Sequence, residues 1–431
     1  MIDTSASKKQ NAIVAALGAI AVVLLVVIYF VPAWWVSLTA PQYPKTAFPE
    51  GIRIHFHMNG VFNGCPKVKK KEIEEDVVLD CVHEMDAINH FVGMYPTGAG
   101  GVVEKAFSPF LLIFLGLMII GFIIPQPKLR FGVMMAGWAV MAGWMYMTMM
   151  MPGGIKYQPA SYIKSLVTAL GEGKEEAGEE LSPIIAKLQK SLEASGDSSL
   201  VRTEEVRSNL EKSGQKKLSD IISNLNKGGT GPVKTLKQIL AEAKASGADE
   251  KTSNIEILHQ AFLTTQSRLP ENKRQKWTGS GMQVLLWHYH QTLARWFNNP
   301  ARINPLVRKM TIAAKAVFWG LIIVPPVLFF LASFGPAFFY WLLGLIPAIL
   351  PVAFVIEYAS WLYWFGHSMS SMGAFSLKPF MPTVFGQGKV AQFATHSYPH
   401  IGFGLMVALS IIMLLAVLIR RKQLKTAAAG A

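Results

Sequence analysis

Long apolar runs alternate with polar segments along this chain. They fall at about 12–30, 109–124, 131–150, 316–333, 337–356 and 401–419. A hydrocarbon core takes roughly 20 apolar residues per helix, so the pattern predicts an all-α polytopic membrane protein with six spans. Lys8 and Lys9 precede the first run, as in a signal peptide. The run continues through Val31-Pro-Ala-Trp-Trp35 without a small-residue cleavage site, which predicts an uncleaved signal anchor with Trp34 and Trp35 at the outer interface. Lys128 and Arg130 mark the second turn as cytoplasmic, and Arg420, Arg421 and Lys422 stop the last span on the same side. Six spans place both termini inside. Arg302, Arg308, Lys309 and Lys315 fall on the outer side of that scheme, where a long translocated domain is largely exempt from the charge rule.

The expected organisation is a signal-anchor helix over 1–36, a polar outer loop over 37–107, and spans two and three over 108–151. A soluble helical insertion follows over 152–310, then spans four and five over 311–357. An outer loop over 358–400 leads to the last span and basic tail over 401–431. Residues 160–300 hold 16 of the 27 acidic residues, and stretches such as Leu181–Leu192 and Thr235–Lys244 carry apolar positions at helical spacing. This insertion shows no nucleotide-binding loop, catalytic motif or metal spacing, and it is the expected docking surface for a protein partner.

Composition agrees with a chain that lives in a lipid bilayer, at 51% hydrophobic and 16% charged. The net charge of +14 sits beside apolar runs, without the aromatic-interleaved basic motif that nucleic-acid binding requires. After Glu271 the only acidic residue is Glu357, at the end of an apolar run. An ionisable group at that depth is by default a functional candidate, here for proton handling or as support to a ligand.

The remaining chemistry is histidine, methionine and cysteine. In an extended strand His55 and His57 share one face and Met58 takes the other. Asp86, His90 and Met94 stack at i, i+4 and i+8 if their segment is helical, close to Cys81 and His83. Imidazole with thioether or thiolate favours copper over zinc. Cys65 and Cys81 share one loop, free to form a disulfide outside the cytoplasm or to bind metal if reduced. His367, His396 and His400 lie in the second outer loop, and convergence of His90, His367, His396 and His400 near the outer face is the expected metal site. Met141, Met145 and Met149 form a further stripe that suits core packing or a Cu(I) path. The alternative is b-type haem held by two histidines, or quinone chemistry with Glu357 taking protons; no Cys-x-x-Cys-His exists for covalent haem. No nucleophile–base constellation or ATPase motif is present, so an accessory subunit is expected rather than an enzyme.

Ala40-Pro-Gln-Tyr-Pro44, Asn89-His-Phe-Val-Gly-Met94 and Trp361-Leu-Tyr-Trp-Phe-Gly-His367 resemble segments of bacterial membrane proteins associated with maturation of copper enzymes such as nitrous-oxide reductase. The resemblance covers roughly 12–150 and 337–419, and the insertion departs from it. It implies copper handling at the periplasmic face of the cytoplasmic membrane, with His90, Met94 and His367 as ligands.

Overall fold

The computed structural model describes residues 4–46, 48–69, 76–78, 80–97, 101–171, 250–374, 378–390 and 392–429. The chain divides into two compact units, one of Met1–Leu170 with Phe262–Ala431 and the other of Gly171–Ala261. Residues 152–170 and 262–310, read from the sequence as part of the insertion, belong to the first unit. The helices expected at Leu181–Leu192 and Thr235–Lys244 lie outside the described residues.

The first unit is built on α1 (Thr4–Phe30), α2 (Cys81–Phe91), α3 (Val102–Ile123), α4 (Pro127–Met149) and α5 (Ala160–Gly171). After α6 (Glu250–Ser267), which runs across the unit boundary, come α7 (Gly281–Trp296), α8 (Pro300–Phe334), α9 (Ala337–Ala348), α10 (Leu350–His367) and α11 (Ile401–Ala429). Among the described residues four helices are long and apolar enough to cross a membrane, α1, α3, α8 and α11, or five if the bent pair α9–α10 counts as one span. The 61° bend of that pair falls at Ile349, between Pro347 and Pro351, whose rings cannot continue the backbone ladder. The methionine-rich α4 is not among the four, because glycine, tryptophan and methionine replace the leucine and isoleucine that fill the others. Exposed Val23, Val140, Ile323, Val327, Ile356 and Leu418 give the bundle the apolar exterior of a multi-pass helical membrane protein.

The long helices alternate in direction along the chain. Arg130 near the start of α4 donates to Ala332 and Ser333 carbonyls at the end of α8. Tyr340 at the start of α9 donates to the Phe122 carbonyl at the end of α3 (3.0 Å). Arg420 near the end of α11 donates to the Ile123 carbonyl (2.9 Å) and to Asn11 near the start of α1. These residues share one end of the bundle. Close approach comes from small residues: Gly18 faces Ile123, Gly121 faces Met134 and Gly137 faces Leu117, each without room for a Cβ.

At the other end the structure corrects the all-helical expectation. A five-stranded antiparallel sheet runs in the order β3-β2-β1-β7-β6, formed by β1 (Trp34–Thr39), β2 (Ile52–His57), β3 (Gly60–Asn63), β6 (Gly386–Val390) and β7 (Phe393–Pro399). A separate pair joins β4 (Lys67–Lys69) to β5 (Asp76–Val78). The cause is local: Trp-Trp-Val and Ile-Arg-Ile-His-Phe-His are β-branched and aromatic alternations, too short for the helical runs that dominate the sequence. Trp34 is no interface anchor. It is 3% exposed, ringed by Phe354, Tyr358, Phe385 and Phe403, and its indole N–H donates to Ser397 Oγ at 2.9 Å. Trp35 instead lies under the Arg53 guanidinium, 4.0 Å from its ring centroid.

The sheet is tied to the bundle where α11 begins, with Gly402 N–H donating to the Pro32 carbonyl at 2.8 Å and His400 N–H to Ala33 at 2.9 Å. A Cβ at position 402 would stand 2.7 Å from the Pro32 oxygen. Gly402→Val should therefore cost about 1–3 kcal/mol, read as a lowered thermal midpoint in detergent. Cys65 and Cys81 are disulfide-bonded, joining the end of β3 to the start of α2 across 16 residues. Cys65→Ser with Cys81→Ser should cost about 3 kcal/mol by loop entropy, and a reducing agent should lower the wild-type midpoint while leaving the double variant unchanged.

Candidate functional site

The disulfide takes Cys81 out of the set of thiolate ligands. The other expected ligands are spread over separate surroundings. α2 starts from an Asp80 cap, whose carboxylate accepts from Val82 and His83 N–H groups, and it stops at Phe91. Met94 is therefore beyond the helix and off the predicted stripe. It is buried with Tyr95, Tyr289, Trp296, Phe297 and Phe365. Asp86 accepts from the Thr97 backbone, folding the following loop over the helix. Gly93, at φ +83°, carries the turn, and its carbonyl receives Ser370 N–H at 2.7 Å. His90 lies between Trp296 (5.3 Å between ring centroids) and Phe297 (4.8 Å), and His83 also faces Trp296.

His367 is exposed and stacks on Tyr363 one turn earlier, at 3.9 Å. His396 sits in β7 opposite Ser37 and Gln387. His400 accepts the Ile401 N–H on Nδ1 at the head of α11, with the ring of His55 at 5.2 Å. The four histidines expected to converge thus do not form one cluster, and among the described residues no three His, Cys, Asp or Glu side chains stand together as a metal site. The physical reason is that β2 and the head of α11 bring His55 beside His400, while Trp296 at the end of α7 and Phe297 flank His90. The methionine stripe turns inward: Met141, Met145 and Met149 are buried.

What the fold does assemble is a pocket of about 150 Å³ under β2 and β3, walled by α1, α3 and α10. That is room for several water molecules rather than a defect of fit, since one water takes about 10–15 Å³ on this measure. Its polar lining comes from Tyr29, His57, Met58, Glu104, Lys105 and Glu357, and its apolar wall includes Leu25, Leu112, Leu115 and Phe354. Glu104 Oε1 accepts from the Trp361 indole at 3.3 Å, while its Oε2 is buried with no hydrogen-bond partner among the described residues. The Glu357 carboxyl interacts with it across the pocket. Tyr29 and Ser108 share a hydrogen bond at 3.2 Å on the rim. His57 packs edge-on against Phe62 at 4.7 Å, and burial lowers its affinity for a proton against the opposing effect of a hydrogen bond to the Phe30 backbone.

Glu357 and Met58 were legible as chemistry in the sequence. Glu104 was not, although it stands one turn before the apolar run at 109 just as Glu357 stands at the end of another. His288, in the segment read from the sequence as a soluble helical insertion, is buried in α7. Its Nε2 bonds the Leu166 carbonyl at 2.8 Å, which requires Nε2–H and leaves Nδ1 beside the Thr292 hydroxyl at 3.3 Å.

Comparison with protein-family models, curated proteins and solved structures finds no match to the chain.

Burial pushes His288 down to about 4, and burial with His400 and Arg53 nearby does the same to His55. Both groups take up protons in the unfolded chain near pH 6.5 but in the folded chain only near pH 4. Their contribution is complete above pH 6.5 and is lost as the pH falls toward 4. His288 alone should account for about 3 kcal/mol over that range. Thermal midpoints at pH 7 and pH 5 check this: His288→Gln keeps a donor to Leu166 and should shrink the acid loss, and an unchanged loss would overturn the assignment.

Proposed function

We propose that this chain is a six-pass protein of a bacterial cytoplasmic membrane that binds copper at the outer end of its bundle and serves as an accessory or delivery component for a copper enzyme. The observation that supports it most is that an imidazole, a thioether and two carboxyls (His57, Met58, Glu104 and Glu357) line one pocket, from which an incoming ion would have to draw them together. The imidazole and thioether suit copper, the thioether favouring Cu(I) and the carboxyls with the imidazole favouring Cu(II), and the set replaces the histidine cluster expected from sequence. His57 and Met58 come from the β2–β3 turn and the carboxyls from α3 and α10, so a bound ion would join the sheet to the bundle. Counting α4 as a span completes the alternation of helices. The long segments then share the sheet's side, and Lys128, Arg130, Arg420 and Arg421 the opposite side, in accord with positive-inside orientation. A disulfide on the sheet's side agrees with an oxidising compartment. The partner enzyme docks, on this reading, through the acidic segment within 152–310.

The largely apolar wall favours a second reading, in which an amphipathic ring compound such as a quinol enters beside α1 and α3 and gives its hydroxyl hydrogen bonds to the carboxyls. Haem finds less support, since His57 is the single histidine among the residues lining this pocket.

Cu(I) titration against a competing chelator, on detergent-purified protein, tests the copper reading. Glu104→Gln with Glu357→Gln, and His57→Ala with Met58→Leu, should each weaken binding by about tenfold or more, the loss typical of disturbed metal ligation. Wild-type affinity retained in both double variants sinks the site. Quenching of a quinone analogue by the wild type, lost in the carboxyl variant, would transfer support to the second reading.

A further inference from the structure

The end of the bundle away from the sheet holds two arginines that the copper reading does not use. Arg130 and Arg420 are 6% and 3% exposed, and each acts electrostatically on the other. Tyr340 stands between them: the Arg130 guanidinium lies 4.6 Å from its ring centroid, and Arg420 hydrogen-bonds its hydroxyl. Their acceptors are the carbonyls of Ile123, Ala332 and Ser333, the Ser333 hydroxyl, and the amide oxygens of Asn11 and Gln423. Every one of these is neutral. Arg420 Nε is buried and finds no acceptor among the described residues.

Two like charges withdrawn from water demand a counter-charge. The carbonyl ends of α3 and α8 supply partial negative charge, which is less than the two full charges present. The sequence cannot supply more from its C-terminal part, since Glu357 is the only acid after Glu271 and it faces the opposite end. The exposed side chains around the node, Lys128, Arg421 and Lys422, add positive charge instead.

We infer that Arg130, Arg420 and Tyr340 form the back of a seat for the phosphate of an anionic lipid headgroup. A lipid fits better than a soluble anion because the same end carries exposed apolar side chains, Leu129, Phe334, Phe338 and Leu418, beside the cations, and basic pockets between helices at the inner face suit anionic headgroups. The inference rests on the multi-pass membrane reading and is independent of copper.

The test compares the full chain in nanodiscs of phosphatidylcholine alone and of phosphatidylcholine with phosphatidylglycerol. The wild type should melt several degrees higher with the anionic lipid, by preferential binding to the folded state, and Arg130→Gln with Arg420→Gln should abolish the difference. Inorganic phosphate added to the neutral discs should not reproduce it; an equal rise with phosphate overturns the lipid assignment. Should the double variant fail to fold, mass spectrometry of lipids held by wild type in mild detergent decides. Several-fold enrichment of anionic lipid over its membrane share is expected, and retention in bulk proportion overturns the proposal. Failure here leaves the Cu(I) titration untouched, since that assay reads residues at the opposite end.

Discussion

Much of the molecule depends on the pairing of β1 with β7. Their antiparallel register runs from Trp34 opposite Pro399 to Thr39 opposite Ala394, so two segments more than 350 residues apart share one ladder. Each strand is joined by a few residues to a long apolar helix, β1 to α1 and β7 to α11. The ladder therefore fixes where those two helices meet. Trp34 makes the joint specific: its indole bonds Ser397, whose hydroxyl donates to Val384 and lies 3.3 Å from Tyr358 on α10. Hydrogen bonds buried among aromatic rings are costly to leave unmade, which gives the sheet a single seating on the bundle. The pocket beneath follows from that seating, because His57 and Met58 line it together with residues of α3 and α10 only when β2 is held in place by β1.

Polar chemistry is divided between the two ends. At the sheet end, carboxyls gather in a pocket roofed by strands. At the other end, guanidiniums gather on the carbonyl ends of α3 and α8, where the helix dipoles favour positive charge. The apolar middle, with Gly18, Gly121 and Gly137 allowing close helix contact, separates the two. Association of helices in lipid draws on such close contact and on polar joints, since apolar side chains gain nothing by leaving lipid for one another.

Four of the six expected spans, or five with the bent pair α9–α10, were legible in the sequence as long apolar helices among the described residues, because a 20-residue apolar run has few other fates. The polar segments were harder to read. Trp34 and Trp35 of β1 were read as the end of the anchor, and of β2 only the His55–Met58 part was weighed as a strand, since each strand is six residues long and its partner cannot be found by local pattern. The Asp86–His90–Met94 stripe depended on a helix continuing past Gly93, where the backbone instead turns with positive φ to meet Ser370. His288 carried no sign of burial, because the carbonyl that holds it belongs to Leu166, far off in sequence.

The sequence by itself determined the long apolar helices, the basic character of one bundle end and the chemical identity of the scarce polar groups. These follow from composition and local periodicity. Tertiary structure alone decided which of those groups meet. It paired the cysteines, parted the histidines and brought Glu104 to Glu357, because strand register and helix contact act between residues that no sequence window holds together.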